Sequence, residues 1–490
     1  MSHLPILVVA LYLATAFLLP LLARIKKFHS GYFSLVMAAT GLVMSLLTMF
    51  HVAREGTFSY FPGDWPPPVG IELSIDWVTV LMHLTINFIG LLVLFYCLED
   101  LSSEVRPGHE TWYYTLFFLL MASLNALAMA FDLFTVFVFT EICTLAACAI
   151  VAIKPKALCV EAAFKYLILS TLGSGMLLLG TSLVYMVTGH LNMGLIGQML
   201  PQAIEMYPLN ILIALALFVI GLGIKSALFP LHTWLPDAHS SAPTPSSALL
   251  SGLVVKLFII VLGRIVFQVF GTDLFVMFPI PEVILLLATF GIFAGSLMAI
   301  AQTDIKRMLA YSSVAQVCYI YIGLALVSQT GIQGGLLHVF NHAVMKSLLF
   351  LAAGAFIYKT GIRKIEDLVG IGYRMPITMA AFSVGALSMV GLPGFSGFIS
   401  KLTLAFGALE AAKPFFVVVI ILSSLLNAVY YLPIVLRGFF GRPASEFQWD
   451  KLPLLIIAPV LVLAAVNIFF GIFPGSLQEL ARLAAETWLP

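Results

Sequence analysis

Apolar runs of about twenty residues recur along the whole chain, with short polar intervals between them. They fall at 4–23, 31–53, 78–98, 111–130, 133–153, 164–187, 209–229, 246–270, 281–301, 308–328, 332–358, 377–410, 414–437 and 452–473. A bilayer core of about 30 Å needs about 20 residues of helix. The pattern therefore predicts an all-α polytopic membrane protein with about fourteen transmembrane helices. No basic residue precedes the first run, and Arg24, Lys26 and Lys27 follow it. That is the arrangement of a retained helix entering from outside, not of a signal peptide.

An even number of spans places both termini on one side. Loops after odd-numbered spans hold Arg24, Lys26, Lys27, Arg106, Lys154, Lys156, Lys306, Arg307, Lys359, Arg363, Lys364, Arg374, Arg437, Arg442 and Lys451. Loops on the opposite side hold only Arg54, Lys413 and Arg482. The positive-inside rule then puts both termini outside, and the expected location is a prokaryotic cytoplasmic (inner) membrane.

Composition agrees with this reading. Hydrophobic residues make up 61% of the 490 and charged residues 10%, against about 25% charged in an ordinary domain. The mean hydropathy is +1.07. A net charge of +1 leaves no basic surface for nucleic acid, and a disordered chain or a secreted disulfide scaffold is excluded. Cys97, Cys143, Cys148, Cys159 and Cys318 form no CxxC pair, which argues against an iron–sulfur or structural zinc site.

Six cations lie inside the runs: Lys165, Lys225, Lys256, Arg264, Lys346 and Lys401. Lys165 and Arg264 are near run ends, where a long side chain can snorkel to the interface. The other four have no such excuse, at about 2.5–3.5 kcal/mol for each central charge. Glu141 is the one acid deep inside a run. His338, His342 and Lys346 repeat at i, i+4 and i+8, so they form one polar stripe on an apolar helix. Titratable groups at membrane depth read as a proton path. The alternatives are two satisfied core histidines, or a metal pair that Lys346 would oppose with no carboxylate nearby in sequence.

Two runs carry breakers beside their lysines. Lys225 is followed by Phe229-Pro230-Leu231-His232-Thr233-Trp234-Leu235-Pro236-Asp237-Ala238-His239, and Gly391-Leu392-Pro393-Gly394-Phe395-Ser396-Gly397 leads into Lys401. Proline removes a backbone donor and interrupts a helix. Broken helices in corresponding positions of two halves point to a transport site. Lys165 with Gly173 and Lys346 with Gly354 share a spacing of eight residues, and each precedes a broken helix, the seventh and the twelfth. Spans 4–8 and 9–13 then form two five-helix units, and an odd number makes the second inverted. The expected organisation is 1–110 for helices 1–3, 111–270 for the first repeat, 281–437 for the inverted second repeat and 452–490 for the last helix and tail.

Four segments together resemble the antiporter-like subunits of respiratory complex I. They are Phe131 to Glu141, Lys225 to His239, His338-x-x-x-His342-x-x-x-Lys346, and Gly391 to Lys401. That family includes the large subunits of Mrp-type sodium/proton antiporters and of membrane-bound hydrogenases. The resemblance covers about residues 70–440 and is most specific from Lys225 to Lys256. The chain runs on only briefly past the fourteenth run, so no long lateral helix is expected, and it looks most like the Mrp D-type subunit and its hydrogenase relatives. Ile142 to Cys148 departs from the usual Mrp wording, which leaves the exact complex open.

The resemblance implies a proton path or Na+/H+ path along Glu141, Lys225, Lys256, His338, His342, Lys346 and Lys401. Glu141 would pair with Lys225, Lys256 would bridge, and Lys401 would be the terminal lysine. Secondary candidates are Asp132, Lys165, His232, Asp237 and His239; Asp132 is equally a helix N-cap for the run beginning at Leu133. Nothing in the chain resembles a flavin, nicotinamide or iron–sulfur site, so no cofactor and no redox chemistry of its own are expected. Partners would be the bilayer, other membrane subunits of one complex and a peripheral redox module. A self-sufficient transporter of a small solute is the main rival. A membrane-embedded transferase lacks its acidic cluster, since Asp132 and Glu141 stand nine residues apart, and an inert anchor would not carry buried lysines.

Overall fold

The computed structural model describes residues 2–26, 28–441 and 451–489. Lys27 and Arg442, two of the loop cations counted above, lie outside the described residues. The chain opens with α1 (Leu4–Leu22), α2 (Ser30–Glu55), α3 (Trp77–Glu104) and α4 (Glu110–Met129), in which α1 packs on α4 and α2 on α3. Between α2 and α3 a short antiparallel hairpin pairs β1 (Phe58–Tyr60) with β2 (Leu73–Ile75). Strands of three residues are too short for alternation to reveal them in a sequence.

The next helices are α5 (Leu133–Ala152), α6 (Ala157–Thr188), α7 (Met193–Met206), α8 (Pro208–Lys225) and α9 (Trp234–Ser241). Then α10 (Thr244–Leu249), α11 (Val255–Arg264) and α12 (Gly271–Met277) are joined by wider π-helical turns at Leu250–Val254 and Ile265–Phe270. The helical stretch is continuous from Thr244 to Phe270, and Gly271, with φ of +72°, breaks it at the start of α12. The second half comprises α13 (Ile280–Ile300), α14 (Ile305–Ala325), α15 (Gln329–Thr360), the single turn α16 (Ile371–Arg374), α17 (Pro376–Val390), α18 (Ser396–Glu410) and α19 (Phe415–Phe440). The chain closes with α20 (Leu454–Ile472) and α21 (Gly475–Glu486).

Helix starts follow local chemistry. Asp76, Asp132, Asn192, Asp304 and Ser328 each accept a backbone N–H of the helix they precede, from Thr79, Thr135, Leu195, Arg307 and Gly331. Each bond satisfies one of the free donors at a helix N-terminus. The central helix is α15, which packs on α3, α14, α17, α18, α20 and α21. Small residues let its neighbours approach: a Cβ on Gly407 would meet the Gly331 Cα at 2.4 Å, and one on Gly323 the Gly335 Cα at 2.7 Å. Close backbone contact of this kind drives helix association in lipid.

Among the described residues, thirteen helices are long and apolar enough to cross a membrane. The apolar run 377–410 is not one of them, because it is two fifteen-residue helices, α17 and α18, with Gly391–Phe395 between them. The run 209–229 ends its helix at Lys225. Among the helices of twelve residues or more, α7 and α21 have no counterpart among the apolar runs. Each buries one stripe only, Met193, Ile196, Leu200 and Ala203 in α7 and Leu477, Ala481, Ala484 and Ala485 in α21. Amphipathic stretches of this length leave no twenty-residue apolar signature.

Candidate functional site

Glu141 and Lys225 meet across α5 and α8, with Lys225 Nζ 3.9 Å from Glu141 Oε1. Lys225 is the last residue of α8 and is wholly buried. It donates to Thr144 Oγ1 at 2.8 Å and lies 5.5 Å from the centre of the Phe258 ring. Glu141 also accepts from Ser174 of α6. The Glu141 side chain is 31% exposed at the surface of the chain, on a helix face that also exposes Phe134, Val138 and Leu145. It is therefore not deep in this chain, as its place mid-run suggested.

Lys256 stands just after the first π-helical turn and donates to the Ser251 carbonyl within that turn. A π turn shifts the backbone pairing by one residue, and the ammonium group takes up a carbonyl at that position. From there a hydrogen-bonded sequence leads on. Ser251 and Ser313 hydroxyls are 2.7 Å apart, Ser313 donates to the Leu309 carbonyl at 3.0 Å, and Lys346 Nζ donates to the same carbonyl at 2.8 Å. Lys346 also bonds Ser312, whose hydroxyl lies 2.9 Å from that of Tyr431. Lys256 and Lys346 are both wholly buried, and among the described residues neither has a carboxylate in ion-pair contact.

The stripe on α15 continues the line. His338 and His342 stack with ring centres 5.5 Å apart, and His338 Nδ1 lies 2.9 Å from the Ser400 hydroxyl. Its ring also approaches Tyr319, at 5.4 Å. Lys401, next to Ser400, sits 5.1 Å from the centre of that same Tyr319 ring. Its ammonium group donates to the Met389 and Val390 carbonyls at 2.7 and 3.2 Å and to Ser424 at 3.2 Å. Those carbonyls end α17, so Lys401 caps the negative end of a half-helix dipole. Among the described residues, both ring nitrogens of His342, and Nε2 of His338, have no hydrogen-bond partner.

The secondary candidates divide. His239 is fully buried between α9 and α15, its ring 6.1 Å from Phe350 and both nitrogens unpartnered among the described residues. His232 lies in the break after α8, stacked on Phe229. Lys165 is a surface group, 48% exposed, paired with Glu161 at 2.8 Å and Asp237 at 3.1 Å. Asp237 also meets Arg307 at 3.2 Å, so this pair belongs to an interfacial ion cluster away from the buried line. Asp132 accepts from the Phe134 and Thr135 amides and the Thr135 hydroxyl, which makes it the N-cap of α5.

Sequence reasoning missed several participants. Thr144, Ser174, Ser251, Ser312, Ser313, Tyr319, Ser400 and Tyr431 connect the titratable groups, yet hydroxyl residues are common in membrane helices and give no signal singly. Arg264 does not snorkel: it is buried, and Nη2 donates to both Asp76 oxygens at 3.0 and 2.9 Å. Lys306, counted as a loop cation, is the second residue of α14, 1% exposed, and donates to the Ala242 carbonyl at 2.7 Å. Among the described residues, no three His, Cys, Asp or Glu side chains come together as a metal-binding group.

Comparison with known proteins bears on this arrangement. Residues 130–427 match the family described as "NADH:quinone oxidoreductase/Mrp antiporter, TM". The NADH-quinone oxidoreductase subunit N of Desulforudis audaxviator is 40% identical over 490 residues, 96% of each chain. The D-type subunit of the Na(+)/H(+) antiporter of Alkalihalophilus pseudofirmus is 28% identical over 91% of this chain and 90% of its own. Among solved structures, a chain of an archaeal membrane-bound sulfane sulfur reductase superposes with a TM-score of 0.92 at 30% identity, covering 99% of this chain and 97% of that one. A chain of the Mrp complex from Dietzia sp. does so with a TM-score of 0.90 at 25% identity and the same coverage. A match over more than half the chain, carried by a full-length relative and by the same fold, means that this chain belongs to the NADH:quinone oxidoreductase/Mrp antiporter transmembrane family.

Proposed function

We propose that the chain is an antiporter-like, proton-translocating membrane subunit of a larger complex, relaying protons along Glu141, Lys225, Lys256, Lys346, His342, His338 and Lys401. The observation that carries this reading is the set of Lys256, Lys346 and Lys401, each buried and, among the described residues, held by neutral acceptors alone. A lysine without a counter-ion can lose its proton and strand no carboxylate, whereas a structural lysine at membrane depth is paired. Glu141 is the controlling element: moving it away takes the counter-charge from Lys225 and sends its proton toward the line. Its position at the chain surface suits control by a neighbouring membrane subunit, with a redox module or a sodium gradient as the energy source.

Several further readings belong with this one. The broken pair α17 and α18 counts as one crossing, which gives fourteen, with both termini outside a prokaryotic cytoplasmic membrane and the basic loops inside. Residues 111–270 and 281–437 are inverted repeats. In support, α4, α5, α6 and α8 pack in succession, and so do α13, α14, α15 and α18. Residues 1–110 and 452–490 flank them.

Transport by the assembled complex in reconstituted vesicles tests the relay. Lys401→Met keeps side-chain length and should stop proton movement. Lys401→Arg keeps the charge but cannot release a proton at physiological pH, so it should fail as well. Arginine activity near the wild-type level would leave Lys401 a fixed charge and sink the relay.

A further inference from the structure

At the end of the molecule that carries the basic loops, a cavity of about 590 Å³ opens between α3, the turn after α5, the start of α14 and the end of α15. Its wall includes Asp100 and Glu104 of α3, Lys154, Thr244, Lys306 and Tyr358, with Arg106 and Lys156 beside them. Most of these groups are engaged. Glu104 pairs with Lys154 and accepts from the Thr244 amide and hydroxyl. Lys306 donates to the Ala242 carbonyl. Tyr358 donates to Glu99, and Arg363, on the same wall, pairs with Asp304.

Asp100 differs. It is 1% exposed, and among the described residues its Oδ2 has no hydrogen-bond partner although the residue lines the cavity. An unsatisfied buried carboxylate costs several kcal/mol if it serves only packing. A second unsatisfied group lies beyond it. Lys306 binds the Ala242 carbonyl, three residues past His239. The His239 ring has both nitrogens unpartnered among the described residues and lies 6.1 Å from the Phe350 ring of α15. Asp100 and Lys306 thus share the cavity wall, Lys306 reaches the end of α9, and His239 on α9 packs on Phe350, one turn past Lys346 on α15.

We propose that this cavity is the proton-uptake vestibule, with Asp100 the carboxylate that accepts protons from water and His239 the group that hands them to Lys256 and Lys346. The assignment rests on the relay proposed above and names where it is loaded. In each transfer one O–H or N–H bond breaks as the next forms, and no oxidant or reductant is involved. The carboxylate shares the cavity wall with Glu104 on its own helix, Lys154 from the turn after α5, Lys306 from α14 and Tyr358 from α15, so both charge signs surround the proton it would carry. A phosphate headgroup, the other ligand that basic walls attract, would meet Asp100 and Glu104 at the cavity floor.

The test is proton transport by the complete complex in vesicles, with pH varied on the vestibule side. A collecting carboxylate matters most where protons are scarce, so Asp100→Asn should lose about tenfold at about pH 8 and less than about twofold at about pH 6. Asp100→Glu should restore the alkaline rate. Equal loss at both pH values, or none at either, overturns the proposal. A second measurement needs no variant: a water-soluble carbodiimide added from the vestibule side should modify Asp100 in the wild-type complex, located by mass spectrometry, and absence of that adduct overturns it too. Lys401→Met is run alongside. If it stops transport while Asp100→Asn leaves every rate unchanged, the vestibule assignment alone falls; if it does not, the relay itself falls.

Discussion

Asp132 and Glu141 stand at the start and in the middle of α5, yet they differ in what holds them. Asp132 spends its carboxylate on the exposed amides that begin α5, a job that asparagine does about as well. Glu141 faces Lys225 and accepts from Ser174, and no neutral side chain replaces that charge. Asp132→Asn should therefore keep transport within about twofold of the wild type. Glu141→Ala should abolish transport in a complex that still assembles. If Glu141→Ala complexes fail to assemble, the carboxylate is structural, since its loss leaves the wholly buried Lys225 without a counter-charge. An asparagine variant as inactive as Glu141→Ala would remove the capping account of Asp132.

At the scale of elements, the break between α17 and α18 decides where Lys401 points. Gly391 caps α17 with φ of +89°, a region that penalises any side chain, and a Cβ there would meet Lys401 Cδ at 3.0 Å. Gly394 has φ of +90° but nothing within 4 Å of an added Cβ. Both Gly391→Ala and Gly394→Ala should then lose about 1–2 kcal/mol of backbone stability. Only Gly391→Ala displaces the Lys401 ammonium group from the α17 carbonyls. Thermal melting of the two complexes should drop alike while transport falls in Gly391→Ala alone. Equal transport in both would mean that the carbonyl contacts of Lys401 are dispensable.

For the molecule as a whole, the buried Asp76–Arg264 pair ties the start of α3 to the end of α11. Asp76→Asn keeps the cap on α3 and leaves Arg264 buried without its counter-charge, at a cost of about 3–5 kcal/mol. Scanning fluorimetry of the purified complex should show a clear drop in melting temperature. Adding Arg264→Met should recover most of it, because a neutral pair of similar volume removes the uncompensated charge. A double variant as unstable as Asp76→Asn would place the loss elsewhere than in that charge.

Much of this was written in the chain. A run of twenty apolar residues has one stable fate in lipid, and a lysine within it is conspicuous because its cost there is high. That is why the helices, Lys225, Lys256, Lys346, Lys401 and the histidine stripe were legible from residue identity and spacing alone. What tertiary structure decided is which groups touch. Serine, threonine and tyrosine are cheap anywhere in a membrane helix, so only the packing of α14 on α15 and on the π turn reveals that Ser251, Ser313 and Leu309 join Lys256 to Lys346. Arg264 and Lys306 sit near helix ends, where sequence cannot tell a snorkelling cation from a buried one; the partner helices, bringing Asp76 and Ala242, settle it. Asp100 follows the same logic in reverse: it reads as an ordinary acid at the end of a span, and it becomes an unsatisfied carboxylate only because α14 and α15 close over it while leaving a cavity at its side.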